Sequence, residues 1–521
     1  MNTTPHNERR RDFLEVDVPK ALLCTTGAMS VLYFLVLTFL FRIGNPFLFA
    51  LLIAGEVYHV WQVLTFIYTT WDTSVLPTPR ATYTPPVDVF ITVAGEPVAL
   101  VEETLTAALS MRYPSFTVHI LNDGFVAKKE NWRDIEALAA KTGVHCITRT
   151  IAGGAKAGNI NNAMRLTRSP LVAIFDADHV PHEDFLTKTV GYFADPKVGF
   201  VQTPQFYKNY ATNYVTRGSW EQQELFFGPI CRGKNRHHAA TMCGTNMLIS
   251  RRAIEEVGGM CTQSIAEDFI TGMFLHERGY TSIYVPEVLA EGLATEDLLT
   301  YSKQQFRWAR GALDVIFRYN PLLRSGLSWP QKIEYLASAS FYLSGIVVLF
   351  DLLLPLVFFY TGAVPVQISG MLLAAVFLPY MFLTLYTIER ASNFTFTFRS
   401  LGFSMGAWTI HLRALISAIT YKKASFQITQ KSAVSGRFTE LVVPHLCYIA
   451  LGAVGFVVAL LRSGWSASLL NNTAWVLINT AIFVPFVVAA FPRGAHETPE
   501  PRRKRRLPVS QEIRYGELPR N

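Results

Sequence analysis

Six stretches of about twenty apolar residues dominate what this chain can fold into: 21–41, 46–68, 337–360, 366–387, 441–461 and 473–490. As a helix, each is long enough to cross ~30 Å of hydrocarbon. Two precede and four follow a polar segment, so the chain reads as a multi-pass α-helical membrane protein with an inserted α/β domain. Basic residues set the orientation. Arg9, Arg10, Arg11 and Lys20 precede the first run, and Arg502-Arg503-Lys504-Arg505-Arg506 follows the last. Six spans then put both termini and the inserted domain on the cytoplasmic side of an inner or plasma membrane. Residues 401–420 are apolar enough for a seventh span, but His411 and Arg413 would be costly in lipid. That stretch is expected as an amphipathic helix at the interface, over 397–420. The start, Arg9-Arg10-Arg11-Asp12-Phe13-Leu14, is read as part of an uncleaved anchor rather than an export signal. The net charge of +8 follows from this topology and the basic tail. With no basic–aromatic module, nucleic acid is not an expected partner. The six cysteines form no Cys-x-x-Cys pair, so free thiols are expected rather than a zinc site.

Between 85 and 320 the pattern changes. Strand-like runs at 87–94, 116–121, 144–150, 171–175 and 198–203 alternate with helical patterns at 100–111, 130–141, 159–166 and 185–193. Such alternation predicts a mostly parallel, doubly wound sheet. Ligands of these sheets bind outside the carboxyl ends of the strands. The expected domains are 1–84 (tail and two spans), 85–320 (the α/β domain), 321–491 (four spans, with the interfacial helix and a loop at 424–437) and 492–521 (basic tail).

Several motifs fall at that ligand-binding edge. The run 171–175 ends in Asp176-Ala177-Asp178, whose carboxylates share a face of an extended chain. They suit Mg²⁺ or Mn²⁺, although an acidic turn has the same sequence. Asn122-Asp123-Gly124 is either a tight turn or a nucleotide contact through Asp123. Gly153-Gly154-Ala155-Lys156 opens a helix, and its glycines and lysine fit a phosphate. Glu267 and Asp268 open another helix, as dipole partners or with Asp268 as a general base. Gln304, Arg307 and Trp308 share one helix face, as membrane anchors or as part of a site. Glu56 and Asp351, inside spans, are candidates for lining a polar path or for bonding helix to helix.

Taken together and in order, these motifs resemble the processive family 2 glycosyltransferases, most closely the bacterial cellulose synthase catalytic subunit. The resemblance also takes in Gln202-Thr203-Pro204-Gln205-Phe206 and Cys243-Gly244-Thr245-Asn246. It extends to Phe426-Gln427-Ile428-Thr429-Gln430-Lys431, which is similar to that family's gating loop. Hyaluronan and chitin synthases lack that loop. A non-processive, lipid-linked glycosyltransferase would not need it, nor Gln304-x-x-Arg307-Trp308. The sequence departs from the family pattern at Asn122, Gly154, Ala266 and Ser432. The tail after the last span, about thirty residues, is too short for a PilZ domain.

The resemblance implies a GT-A type domain and inverting transfer from a UDP-sugar, glucose above all, to a growing β-glucan. Asp268 would be the base. Asp178, with Asp176, would hold Mg²⁺ or Mn²⁺. Lys156 and Arg307 would face the diphosphate, and Thr92, Glu96 and Asp123 the uridine. Trp308, Cys243, Gly244 and Thr245 would flank the acceptor, with Glu267 and Gln304 counted among the substrate contacts. Phe426, Thr429 and Lys431 would close over the nucleotide; a solvated linker is the alternative reading of that segment. The partners implied are a UDP-sugar, the polysaccharide and the bilayer, with room for an accessory or periplasmic cell-wall partner.

Overall fold

The computed structural model describes residues 18–79, 83–367, 370–421 and 436–492. Phe426, Thr429 and Lys431 of the expected gating loop lie outside the described residues, as do the basic clusters at both termini.

The inserted domain is built on a seven-stranded sheet. Its strands are β1 Val87–Val93, β2 Phe116–Asn122, β3 His145–Thr148, β4 Leu171–Asp176, β5 Val198–Gln202, β6 Met247–Ser250 and β7 Thr281–Tyr284. The order is β7-β5-β6-β4-β1-β2-β3. Every pairing is parallel except the two made by β6, which is antiparallel to both β4 and β5. Alternate residues go to opposite faces, as the strand period of two requires. Val87, Val89, Ile91 and Val93 of β1 pack on one face with the helices Val98–Leu109 and Trp132–Thr142. Phe90, Val172 and Ile174 pack on the other with the helix Ala155–Leu166. Both faces are therefore buried, which is why the parallel strands read as continuous apolar runs. The predicted helix 185–193 is one α-helical turn followed by a 3₁₀ segment, Val190–Ala194. Strands β6 and β7 were not anticipated.

At the edge of the sheet away from the ligand-binding side, Asp88 accepts hydrogen bonds from Arg251 Nη2 (2.9 Å), Ser169 N (3.0 Å) and Ser169 Oγ (2.8 Å). Burial disfavours its charge, but hydrogen bonds from His119 and Ser169 outweigh that and hold the carboxyl at about 2. A depressed value contributes stability above the unfolded-state range and loses it as pH falls towards 2. Arg251→Met removes the guanidinium from a buried carboxylate. We expect it to destabilise the domain by about 3 kcal/mol or more, read as a lower thermal midpoint, while Arg251→Lys should lose less.

Among the described residues, six helices are long and apolar enough to cross a membrane: Lys20–Phe39, Pro46–Thr70, Trp329–Thr361, Gly370–Ala391, Thr439–Ser463 and Ala467–Ala489. They match the six expected runs. On the side away from the inserted domain, Arg42–Ile43 pairs antiparallel with Val366–Gln367. The expected interfacial helix is two helices, Phe398–Gly406 and Trp408–Ile419, meeting at Ala407. His411 is buried, with Nδ1 2.9 Å from Ser344 Oγ, whereas Arg413 is exposed. The stretch is apolar because Ala414, Leu415 and Ala418 pack on Ala309 and Leu313 of the helix Leu298–Phe317. It is not a span.

Candidate active site

The sheet's carboxyl edge builds one cavity of about 410 Å³, within the range of small-molecule sites. Strand β1 ends at Thr92 and Val93, β2 leads into Asp123, β3 into Arg149, and β4 into Asp176 and Asp178. Because β6 runs the other way, its amino end is at the same edge, and the residues before it place Cys243 in the wall. Glu96, Lys156, Glu267, Asp268, Gln304, Arg307 and Trp308 complete the lining. The structure thus gathers nearly all the predicted site residues that it describes. Gly244 and Thr245 stand just behind the wall. Thr245 Oγ1 accepts from Asp176 N at 2.8 Å and donates to Asn246 Oδ1 at 3.2 Å, so its hydroxyl braces the Asp-x-Asp turn.

Lys156 Nζ donates to Asp176 Oδ1 and, at 2.8 Å, to the Gly244 carbonyl. Thr92 Oγ1 donates to the same Asp176 oxygen at 3.0 Å. Burial opposes charge on both Lys156 and Asp176. Their mutual attraction wins, raising the lysine and, with help from His179, lowering the acid. Asp178 Oδ2 accepts from Leu293 N at 3.2 Å. His179 follows directly, with Nδ1 3.5 Å from Asp178 Oδ1. Asp176, Asp178 and His179 each offer a ligand atom, all within 4.8 Å of one another. Both His179 nitrogens are buried without a hydrogen bond. Two carboxylates and an imidazole form a donor set that suits a divalent cation. His179 was in view as the residue after Asp178, yet sequence reasoning gave it no role. A small sheet of Val180–Pro181, Ala290–Gly292 and Phe206–Tyr207 seats it: Gly292 lies flat against the imidazole, where a Cβ would collide.

Arg149 was also missed, although it falls within the expected strand 144–150. Its Nε and Nη2 grip Asp123 Oδ1 and Oδ2 at 2.8 and 2.6 Å, while Nη1 and Nη2 bond the Gly153 and Ala155 carbonyls. One guanidinium thus ties the predicted uridine contact to the loop that carries Lys156. The departures from the family pattern at Asn122 and Gly154 sit in these turns. Asn122 Oδ1 accepts from Gly124 N at 2.9 Å, and Gly154 opens the Lys156 helix at φ +67°.

Asp268 and Glu267 form the first turn of the helix Glu267–Glu277. Burial pushes both carboxyls up, and each feels Lys156 and Arg307 in the opposite sense. Asp268 Oδ1 accepts from Phe269 N at 2.7 Å. Its other oxygen lies against Gly244, where a Cβ would come within 2.7 Å. Gly244 also holds φ +79°, so a side chain there is strained as well as crowded.

The helix Leu298–Phe317 starts at an Asp297 cap, whose Oδ1 accepts from Thr300 N at 2.8 Å. It is pinned by Arg310, which bonds Asp314 and, at 3.2 Å, Ser417 Oγ. Gln304 Oε1 is buried on the cavity side without a partner. Gly311, one turn beyond Arg307, touches Ala266, and a Cβ would overlap the Ala266 methyl. Gly311→Val should therefore push Asp268 away from Trp308. We expect activity to fall at least tenfold with nucleotide affinity little changed, since a small misplacement of reacting groups costs about 10²-fold. Equal kcat in the variant, measured on membranes with matched protein, would contradict this.

Residues 85–311 match the family described as glycosyltransferase-like family 2, and residues 254–443 the cellulose synthase family. Among curated relatives, the UDP-forming cellulose synthase catalytic subunits of Pseudomonas fluorescens (strain SBW25) and Xanthomonas axonopodis pv. citri (strain 306) are 31% and 32% identical to this chain. Those alignments cover 88% and 86% of the chain and 64% of each relative. Cellulose synthase 2 of Novacetimonas hansenii is 30% identical over 90% of the chain, which spans 30% of that protein. A mannosyltransferase from Pyrobaculum calidifontis, solved with GDP-Man and Mn²⁺, superimposes with a TM-score of 0.51 at 19% identity. It covers 72% of this chain and 100% of its own. The inserted domain has the GT-A glycosyltransferase fold.

Proposed function

With a glycosyltransferase-like family 2 domain and a cellulose synthase domain in one chain, we propose that it is a processive, inverting glycosyltransferase. It polymerises glucose from UDP-glucose into a β-glucan and passes the product across the membrane. The observation that carries this reading is that Asp268 and Trp308 share one cavity with Lys156, Asp176 and Asp178. A proton acceptor and an aromatic platform thus stand beside groups suited to a diphosphate.

In this mechanism the acceptor hydroxyl attacks the anomeric carbon while the bond from that carbon to the diphosphate oxygen breaks. Asp268 takes the hydroxyl proton. Lys156 and Arg307 stabilise the charge that develops on the leaving diphosphate. Trp308 packs against the apolar face of the acceptor sugar. Asp123, fixed by Arg149, and Glu96 hold the uridine end. The donor set and the two unbonded His179 nitrogens fit a divalent cation, Mg²⁺ or Mn²⁺, held by Asp178 with Asp176 and His179. When bound, such an ion supplies positive charge against the diphosphate. The basic residues flanking the first and last spans support a cytoplasmic domain, where the UDP-sugar would be met.

The test is incubation of the purified chain in nanodiscs with labelled UDP-glucose, UDP-N-acetylglucosamine or UDP-glucuronate. UDP-glucose alone should give polymer, and linkage-specific glucanases then identify the bond. Incorporation from either of the other donors at a matching rate would move the chain to a chitin- or hyaluronan-type reading.

A further inference from the structure

Midway through the membrane helices, two carboxylates flank one imidazole. His59 Nδ1 lies 3.7 Å from Glu56 Oε2, and His59 Nε2 lies 3.6 Å from Asp351 Oδ2. Glu56 and His59 are on the helix Pro46–Thr70, whereas Asp351 is on the helix Trp329–Thr361. Residues 46 to 56 and 351 to 361 each rise ~15 Å from the same side of the membrane. Both acids thus sit near the middle of ~30 Å of hydrocarbon. The helices meet closely here, since a Cβ on Gly55 would lie 3.5 Å from Asp351 Oδ1.

Two features set this group apart from an ordinary helix-to-helix bond. The first is charge. Two carboxylates and one imidazolium leave a net negative charge at mid-membrane, where charge is costly. The other polar groups packed around it do not offset it. Tyr33 donates to Glu56 Oε1 at 2.8 Å. Tyr380 stacks on Tyr33, with ring centroids 4.7 Å apart. Tyr58 donates to the Phe341 carbonyl, and Tyr448 accepts from Asn479. Among the described residues, the ion pairs of both acids are with His59 alone. The second feature is an open acceptor. Glu56 is 9% exposed, and its Oε2 makes no hydrogen bond, while the side chains of His59 and Asp351 are 32% and 30% exposed. The ring nitrogens face opposite ways, each towards its own carboxylate. That arrangement suits a proton passed through the imidazole rather than a chelated metal. Among the described residues, the convergent ligand group is the one at Asp178.

We propose that Glu56, His59 and Asp351 form an exchangeable proton-binding site in the membrane. From a neutral imidazole that carries its proton on Nδ1, a proton arriving on Asp351 moves to His59 Nε2, and the Nδ1 proton moves to Glu56. One proton is bound, and no other reactant is needed. Binding the proton lowers the negative charge of the cluster and connects its partly exposed end to its buried end.

The test is labelling of the full chain in nanodiscs with dicyclohexylcarbodiimide, which reacts with protonated carboxyls in apolar surroundings, followed by peptide mass spectrometry. Label on Glu56 or Asp351 should rise at least tenfold between about pH 9 and about pH 5, the range that spans imidazole titration. Glu56→Gln with Asp351→Asn should remove it. His59→Ala should flatten the pH dependence, because the acids then lose the partner that keeps one of them ionised. No label in the wild-type chain at any pH would overturn the proposal. So would label that is constant with pH, which marks a static bond. Protection by sodium at fixed pH and ionic strength would replace the proton with an alkali cation and overturn it too. The readout needs no turnover, so it stands or falls apart from the proposed polymer synthesis.

Discussion

Asp268→Asn abolishes polymer synthesis, with a loss of at least about 10³-fold, or roughly 4 kcal/mol of transition-state stabilisation, while UDP still binds within a few-fold of wild type. The expectation rests on where the carboxyl stands. It lines the cavity from a first helical turn, with one oxygen held by Phe269 N and the other against Gly244. Burial raises its proton affinity, while Lys156 and Arg307 keep that rise in check. A base is most effective when its proton affinity lies near the working pH, so these opposing effects suit the role. The asparagine keeps the shape and cannot take a proton. Asp268→Glu should fail as well, because Gly244 leaves no room for a longer side chain. The sign of the pH dependence follows. The base must be ionised, and its affinity is raised, so the acid limb of kcat/KM should lie above the ordinary value for an aspartate. Near-normal turnover of the asparagine variant in a labelled-sugar incorporation assay would remove Asp268 from the mechanism.

Chelation should be as damaging. EDTA is expected to stop synthesis, and Mg²⁺ or Mn²⁺ to restore it. Asp178→Ala should lower activity by more than about 10²-fold, the order at which losing a major source of charge stabilisation is felt. His179→Ala should raise the metal concentration needed for half-maximal rate about ten- to a hundredfold. The distinction matters because Asp176 also accepts from Lys156 and Thr92, so its loss would disturb those groups as well as the cation site. A metal titration of each variant separates weakened binding from lost chemistry. Full activity of the wild-type chain in chelator would contradict the assignment.

The membrane helices were legible because they need only local information: an apolar run of sufficient length is a span wherever it occurs. The parallel strands β1, β2, β4 and β5 were legible for the same reason, being largely buried on both faces, whereas the short parallel strand β7 was not anticipated. The Asp-x-Asp, Glu-Asp and Gln-x-x-Arg-Trp groups could be placed because each motif is contiguous, and the sheet edge was the one place they could meet. What sequence reasoning missed depends on contacts between distant segments. Arg149 acquires its meaning from Asp123 and Gly153. His179 acquires it from Gly292, more than a hundred residues later. Strand β6 is short and runs against its neighbours, so no alternation announces it. Glu56 and Asp351 stood out singly as acids in spans, but His59 joins them only once the helices pack. The apolar stretch at 401–420 has enough hydrophobicity for a span and spends it on the helix that carries Trp308.

The central claim is that this cavity adds many sugars to one chain. It is tested most directly by product size when acceptor exceeds enzyme, with the purified chain in nanodiscs, labelled UDP-glucose and Mg²⁺. The account predicts long, glucanase-sensitive polymer from the earliest time points, one UDP released per sugar added, and loss of both in Asp268→Asn. Products one or two sugars long, with UDP release in the same ratio, would contradict it.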